Sequence, residues 1–287
     1  MFKNAVAKLI LLGMFYVTFM GCSSCATSTA LFGPGDLFRD KRRSFIKIDI
    51  FKNIQVAKTS TSTPNSNSEE YEIDLRSSAS GFIVGHDRDI SLVGTSAHVC
   101  SILFGNQINY FVPDYSPINP RWKLSEKAAY ILSDYKGRRY AAIPVTFDFD
   151  ADICILGTKK IPLPAFKISK NKPLIGEKYY NIAAPMGLWS PKMIPLFEGF
   201  YLGSMRVRSE RKSSYVFSIP TKGGSSGSPI INSYGEVVGA IHSAYRGFEN
   251  LCMATSNKDI YLIYRKSMNL LLRDYNKYKM IIDLINI

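Results

Sequence analysis

The segment SFIKIDIF (44–51) alternates apolar and polar residues as a half-buried β-strand does. The stretch KTSTSTPNSNSEE (58–70) that follows it has no apolar content and reads as an exposed loop. From Ser80 onward, short apolar runs come at close spacing: GFIV, ISLVGT, AAYILS, a turn at 134–138, YAAIPVTF and ICIL. With the first segment they predict an antiparallel barrel or sandwich ending near Gly157. The segment 159–173 carries three prolines and reads as a crossing segment. A second series follows: EKYYNIAA, FEGFYLGSMRV, SYVFSI, SPIIN, EVVGAIHSA and LCMATS. Two such units leave a cleft between them. Beyond Ser256, Tyr264, Met268, Leu271, Tyr275, Tyr278 and Ile282 recur at steps of three and four, predicting a helix with one apolar stripe. It is expected to pack across the second unit rather than to serve as a dedicated partner-binding helix. The expected organisation is a leader over 1–25, a linker over 26–43, β units over 44–158 and 174–257 joined by 159–173, and a helix over 258–287.

Composition narrows the class. A chain of 287 residues with 46% hydrophobic content can bury a substantial core, which excludes disorder throughout. The net charge of +13 favours anionic surroundings. The basic residues are scattered, however, and no nucleic-acid motif accompanies them, so no specific nucleic-acid partner is expected. Lys3 and Lys8 precede an apolar run over 9–20 and then Gly21-Cys22-Ser23-Ser24, the layout of an export signal too short to span a bilayer comfortably. FMGC resembles a bacterial lipoprotein box with Cys22 as the lipidated residue, although Phe19 and Met20 depart from the usual pattern. Cleavage after Ala26 or Ala30, or an uncleaved anchor, are the alternatives. Export to the envelope or periplasm, membrane-anchored, or outright secretion is the resulting expectation. Cys100, Cys154 and Cys252 remain in the body, an odd number without metal-ligand spacing, and are read as buried free thiols.

The candidate chemistry centres on KGGSSGSPI (222–230). A serine hydroxyl needs a neighbouring base, and a histidine base needs a carboxylate to fix its tautomer and stabilise its cation. Only His86, His98 and His242 are available. His98 lies in GTSAHVC, directly after the apolar strand ISLV. Asp152 lies in FDADICIL and, unlike Asp148 and Asp150, adjoins the buried run. SGFIV, SLVGTSAHV, DADICIL, GEKYYNIAAPMGL, GGSSGSPI and GEVVGAIHS together resemble the trypsin-like (chymotrypsin-fold) serine proteases, nearest their bacterial exported branch, over about residues 44–265. The order His, Asp, Ser and the gaps of 54 residues (98 to 152) and 74 residues (152 to 226) fit that family.

The resemblance implies an all-β fold of two six-stranded antiparallel barrels with a C-terminal helix. It implies His98 as base then acid, Asp152 as its orienting partner, Ser226 as nucleophile, and the amides of Gly224 and Ser226 as the oxyanion hole. Ser225 stands where digestive-type members place an aspartate, so activation by that ion pair is not expected. Partial similarity to glutamyl endopeptidases suggests Thr221 and His242 as ligands for an acidic substrate side chain, but GAIH carries one residue more than that group's pattern and would turn His242 the other way. His86, in GHDRD, reads as solvent-exposed. The expected activity is a serine endopeptidase acting on proteins or peptides, without metal or organic cofactor. The competing classes are a catalytically silent binding module of the same fold and a cationic surface lipoprotein.

Overall fold

A computed structural model describes residues 34–58, 69–101, 122–206, 212–245 and 247–286. The leader, Cys22 and most of the loop at 58–70 lie outside them. The described residues from Leu37 onward form one compact unit. It holds all the described strands.

Twelve strands form two closed antiparallel barrels. In the first, β1 (Phe45–Lys58), β2 (Glu69–Asp87), β3 (Ile90–Thr95), β6 (Ile153–Lys159), β5 (Arg139–Asp148) and β4 (Trp122–Asp134) pair in that order, and β4 returns to β1. In the second the order is β10 (Pro229–Ile231), β11 (Val237–Tyr245), β12 (Phe248–Ser256), β9 (Ser214–Phe217), β8 (Leu196–Met205) and β7 (Lys178–Ile182), with β7 closing on β10. Closure pairs every strand on both sides and leaves no sheet edge within the barrel wall.

The burial along each strand follows its sequence pattern. β1 alternates buried and half-exposed positions, as SFIKIDIF does. β3 is buried at all six residues and β6 at six of seven, because one face of each looks into the barrel and the other is covered from outside. The first barrel encloses Ile46, Ile48, Ile83, Val93, Leu132 and Leu156. The second encloses Tyr179, Tyr201, Phe217, Ile230, Ile241 and Cys252. A third cluster joins Phe45, Phe82, Ile155 and Phe166 to Ile231 and Val237, filling the space between the barrels.

The covering element is the helix α3 (Asn257–Ile285), capped by Ser256, whose hydroxyl accepts from Asp259 N at 3.1 Å. Its apolar stripe is the expected one, with Ile260, Ile263, Leu271 and Ile282 buried and Tyr264, Met268, Tyr275 and Tyr278 packed against the same cluster. Its partner is not the expected one. The helix lies mainly on β5 and β6 of the first barrel, with smaller contacts to β11 and β12. Arg88 stacks on the Tyr275 ring at 4.3 Å, and Asn286 bonds both the amide and the carbonyl of Ala141, at 2.9 and 3.1 Å. The helix is long enough to reach back from the second barrel and seal the outer face of the first. Within 26–43, read as a linker, Pro34–Lys41 forms a short helix, α1. The proline-rich segment 159–173 is a packed strap in which Phe166 N bonds Ile83 O of the first barrel and Ser169 N bonds Val237 O of the second, both at 2.8 Å.

Candidate active site

Strand β3 ends in a single helical turn, α2 (Ala97–Cys100), which presents His98 at the strand's end. Strand β6 begins just after Asp152, whose backbone sits in the left-handed region (φ 48°), a conformation that aspartate tolerates better than most side chains. β3 and β6 pair with Thr95 opposite Cys154, so the two turns emerge side by side. Asp152 then holds His98 twice. Its Oδ1 accepts the His98 backbone N–H at 3.0 Å, and its Oδ2 faces Nδ1 at 2.8 Å. A carboxylate accepts only, so Nδ1 carries the proton and Nε2 is left with a lone pair. Burial alone would raise the Asp152 pKa. The hydrogen bonds from His98, and the positive charges that His98 and His242 carry when protonated, outweigh it and hold the carboxyl below its usual range. Asp148, weighed against Asp152 in the sequence, is engaged elsewhere, by Lys212 at 2.8 Å.

Two residues beyond each of these groups, Cys100 and Cys154 form a disulfide with their Cα atoms 6.5 Å apart. This corrects the reading of both as free thiols: their pairing is set by the β3/β6 register, which spacing along the chain does not reveal. Cys252 is a free buried thiol, pushed up to about 12 by burial.

Ser226 comes from the loop that leads into β10. Ser80 N of β2 donates to Ser226 O at 2.9 Å, and Gly227 N donates to Ile241 O at 2.6 Å. Ile241 O also accepts the Ser96 hydroxyl at 3.0 Å, so one carbonyl ties the serine loop to the residue before α2. Gly227 (φ +83°) has no room for a side chain, since a Cβ would stand 2.2 Å from Thr95 Oγ1 and 2.3 Å from Ser80 O. The nucleophile candidate and the histidine turn therefore meet across the barrel junction, within a few residues of direct backbone contact. Among the described residues neither Ser226 Oγ nor His98 Nε2 takes a hydrogen-bond partner.

The backbone around Ser226 is shaped for an anion. Gly224 has φ +94°, and a Cβ there would meet Ala184 O at 2.6 Å and Met186 N at 3.0 Å. The amides of Ser225, Gly227 and Ser228 are all used internally, whereas those of Gly224 and Ser226 donate to nothing among the described residues. The Ser80 hydroxyl fixes the arrangement by donating to Gly224 O at 2.8 Å and accepting from Ala184 N at 3.0 Å. Ser228 is structural, bonded by Asn181 Nδ2 at 2.8 Å. Ser225 is buried, and its hydroxyl has no hydrogen-bond partner among the described residues.

The remaining candidates fall in different places. His242 occupies a bulge in the β11/β12 register, which absorbs the extra residue of GAIH. Its Nε2 contacts Ser214 Oγ at 3.0 Å, its Nδ1 contacts Ser243 Oγ at 3.1 Å, and that Nδ1 lies 3.9 Å from Asp152 Oδ2. It thus stands behind the His98–Asp152 pair. Thr221 Oγ1 is buried beside the Cys252 thiol, without a partner of hydrogen-bond geometry among the described residues. His86 is not solvent-exposed, as read from its polar turn, but half-buried between Ser91 Oγ at 2.8 Å and Leu163 O at 2.9 Å. Desolvation lowers its pKa, so it is a neutral structural bridge. Not foreseen was Thr255 of β12, whose hydroxyl donates to Ala151 O at 2.5 Å and Asp152 O at 3.3 Å, clamping the aspartate turn to the second barrel. No local motif marks it; only the docking of the barrels does.

The family model described as a trypsin-like peptidase domain matches residues 79–239, more than half of the chain. Among solved structures, the serine endoprotease from Yersinia pestis superposes with a TM-score of 0.54 at 16% identity, covering 84% of this chain and 68% of that one. The HtrA-type protease AlgW with a decapeptide gives 0.57 at 13% identity, covering 83% and 68%. The active form of a protease from M. tuberculosis gives 0.51 at 15%, covering 77% and 78%. No curated protein sequence matches the chain. At these identities the superpositions speak for the fold.

Proposed function

The chain belongs to the trypsin-like peptidase family and is a serine endopeptidase, and from that premise we propose that it cleaves peptide bonds through an acyl-enzyme formed on Ser226. His98 Nε2 takes the Ser226 proton as the oxygen attacks the scissile carbonyl, and the imidazolium then protonates the leaving amine. A water deprotonated by the same nitrogen hydrolyses the ester. Asp152 keeps the ring in the reactive tautomer and stabilises its cation. The tetrahedral oxyanion takes the two open amides of Gly224 and Ser226. The observation that carries the reading is the double hold of Asp152 on His98, backbone and ring together, beside a loop that keeps those two amides free.

Protein or peptide substrates are in keeping with the HtrA-type neighbour, which holds a decapeptide. An acidic P1 preference has weaker support: the Thr221 hydroxyl is buried beside the Cys252 thiol, and His242 is turned toward Ser214, Ser243 and Asp152. Export is supported by the Cys100–Cys154 disulfide, since such bonds persist in oxidising compartments. Among the described residues no helix is long and apolar enough to cross a membrane. Attachment through Cys22 is an inference from the leader sequence.

A fluorophosphonate probe tests the assignment. It should label the protein in an Asp152-dependent manner and lose all labelling in Ser226→Ala. A folded protein that never labels would favour a silent binding module. Cleavage of a mixed peptide library reads P1 directly, and a product profile without Glu or Asp would remove the acidic-preference reading.

A further inference from the structure

Only one side of α3 is used by the barrels. The opposite stripe is exposed on both parts of the helix, which a non-helical backbone at Asp274 (φ −118°, ψ 30°) divides. It carries five exposed cations, Lys258, Arg265, Lys266, Arg273 and Lys277. Between them stand Leu262, Leu272, Met280 and Leu284, which are 53%, 57%, 66% and 70% exposed. Of the three carboxylates of the helix, only Asp274 pairs with one of these five cations, Arg273. Asp259 is held by Lys212, Asp274 by Arg273 and Asp283 by Lys279, whereas Lys258, Lys266 and Lys277 have no ion-pair partner among the described residues.

We infer that this face of α3 docks on an anionic lipid surface. Cations spaced along a helix match headgroup phosphates, and aliphatic side chains among them can enter the boundary with the acyl chains. The combination is what discriminates. A second copy of the chain would set five cations against five, which repels. A nucleic acid would use the cations but leave the four aliphatics facing water or phosphate.

The test is flotation of the full chain with vesicles of equal phosphatidylglycerol and phosphatidylcholine, compared with phosphatidylcholine alone. The leader contributes equally to every variant, so the readout is the preference for anionic over neutral vesicles. Arg265→Glu/Lys266→Glu/Lys277→Glu should lower that preference on the order of tenfold or more. Leu262→Asn/Leu272→Asn/Met280→Asn should weaken binding and leave a remainder that salt removes more readily. The milder pair Lys266→Gln/Lys277→Gln should show a smaller loss in the same direction, with unchanged fluorophosphonate labelling and circular dichroism as the check on folding. An undiminished preference in the charge-reversed variant overturns the inference. So does competition by short duplex DNA combined with indifference to the aliphatic substitutions, which would make the face a nucleic-acid site.

Discussion

Asp152 adopts a backbone conformation that most residues avoid, gives up solvent, and in return accepts from both the main chain and the ring of His98. Its depressed pKa has a definite sign for stability. The contribution of this carboxylate is complete above the unfolded value near ~4 and is lost as the pH falls through the lower folded value. Thermal melts of Asp152→Asn between pH 2 and 6 should therefore show a flatter acid limb than the parent, and its kcat should fall by roughly 10⁴ through loss of the reactive tautomer. Gly224→Ala should reduce kcat by about 10²–10³ with little effect on KM, because a methyl group 2.6 Å from Ala184 O must rotate the amide away from the oxyanion. The sequence made these residues legible because each borders an apolar run or a glycine cluster. His86 was misread for the converse reason. Its neighbours in GHDRD are polar, while its buried acceptor, Leu163 O, lies 77 residues away.

At the scale of elements, alternation and apolar runs located the strands, because a barrel wall imposes its inside-outside period on the chain. The same logic located the stripe of α3 but could not name its partner. Periodicity says which face is buried, and the length of the helix decides what covers it. Leu271, fully buried under that stripe, offers the direct check: Leu271→Ala should cost about 2–5 kcal/mol in denaturant unfolding and lower the melting temperature. The disulfide was illegible for a related reason, since strand register brings Cys100 and Cys154 together across a separation of 54. By loop-closure entropy it contributes roughly 4 kcal/mol. Cys100→Ser/Cys154→Ser should unfold at correspondingly lower denaturant, with a drop in kcat as well, since each cysteine stands two residues from a member of the His98–Asp152 pair.

For the molecule as a whole, activity depends on how two separately closed barrels are docked. The Thr255 hydroxyl, the Ser80–Ser226 backbone bond and the Ser96–Ile241 bond all cross that junction. None of these partners could be paired from sequence, because each bond joins elements that the chain reaches only after folding. Thr255→Val keeps the shape but leaves Ala151 O without its buried donor, a loss of about 1–3 kcal/mol. Its expected signature is a lower kcat at nearly constant KM in steady-state peptide hydrolysis, because the aspartate turn loosens while the substrate-facing surface is untouched. The covalent bridge between residues 100 and 154 gives the assembly one more property. Were another protease to nick the backbone anywhere between them, the two fragments would stay fastened beside the paired imidazole and carboxylate. Such a clipped enzyme would migrate as a single species until a reductant parted it, so a lone band on a non-reducing gel is no proof of an uncut polypeptide.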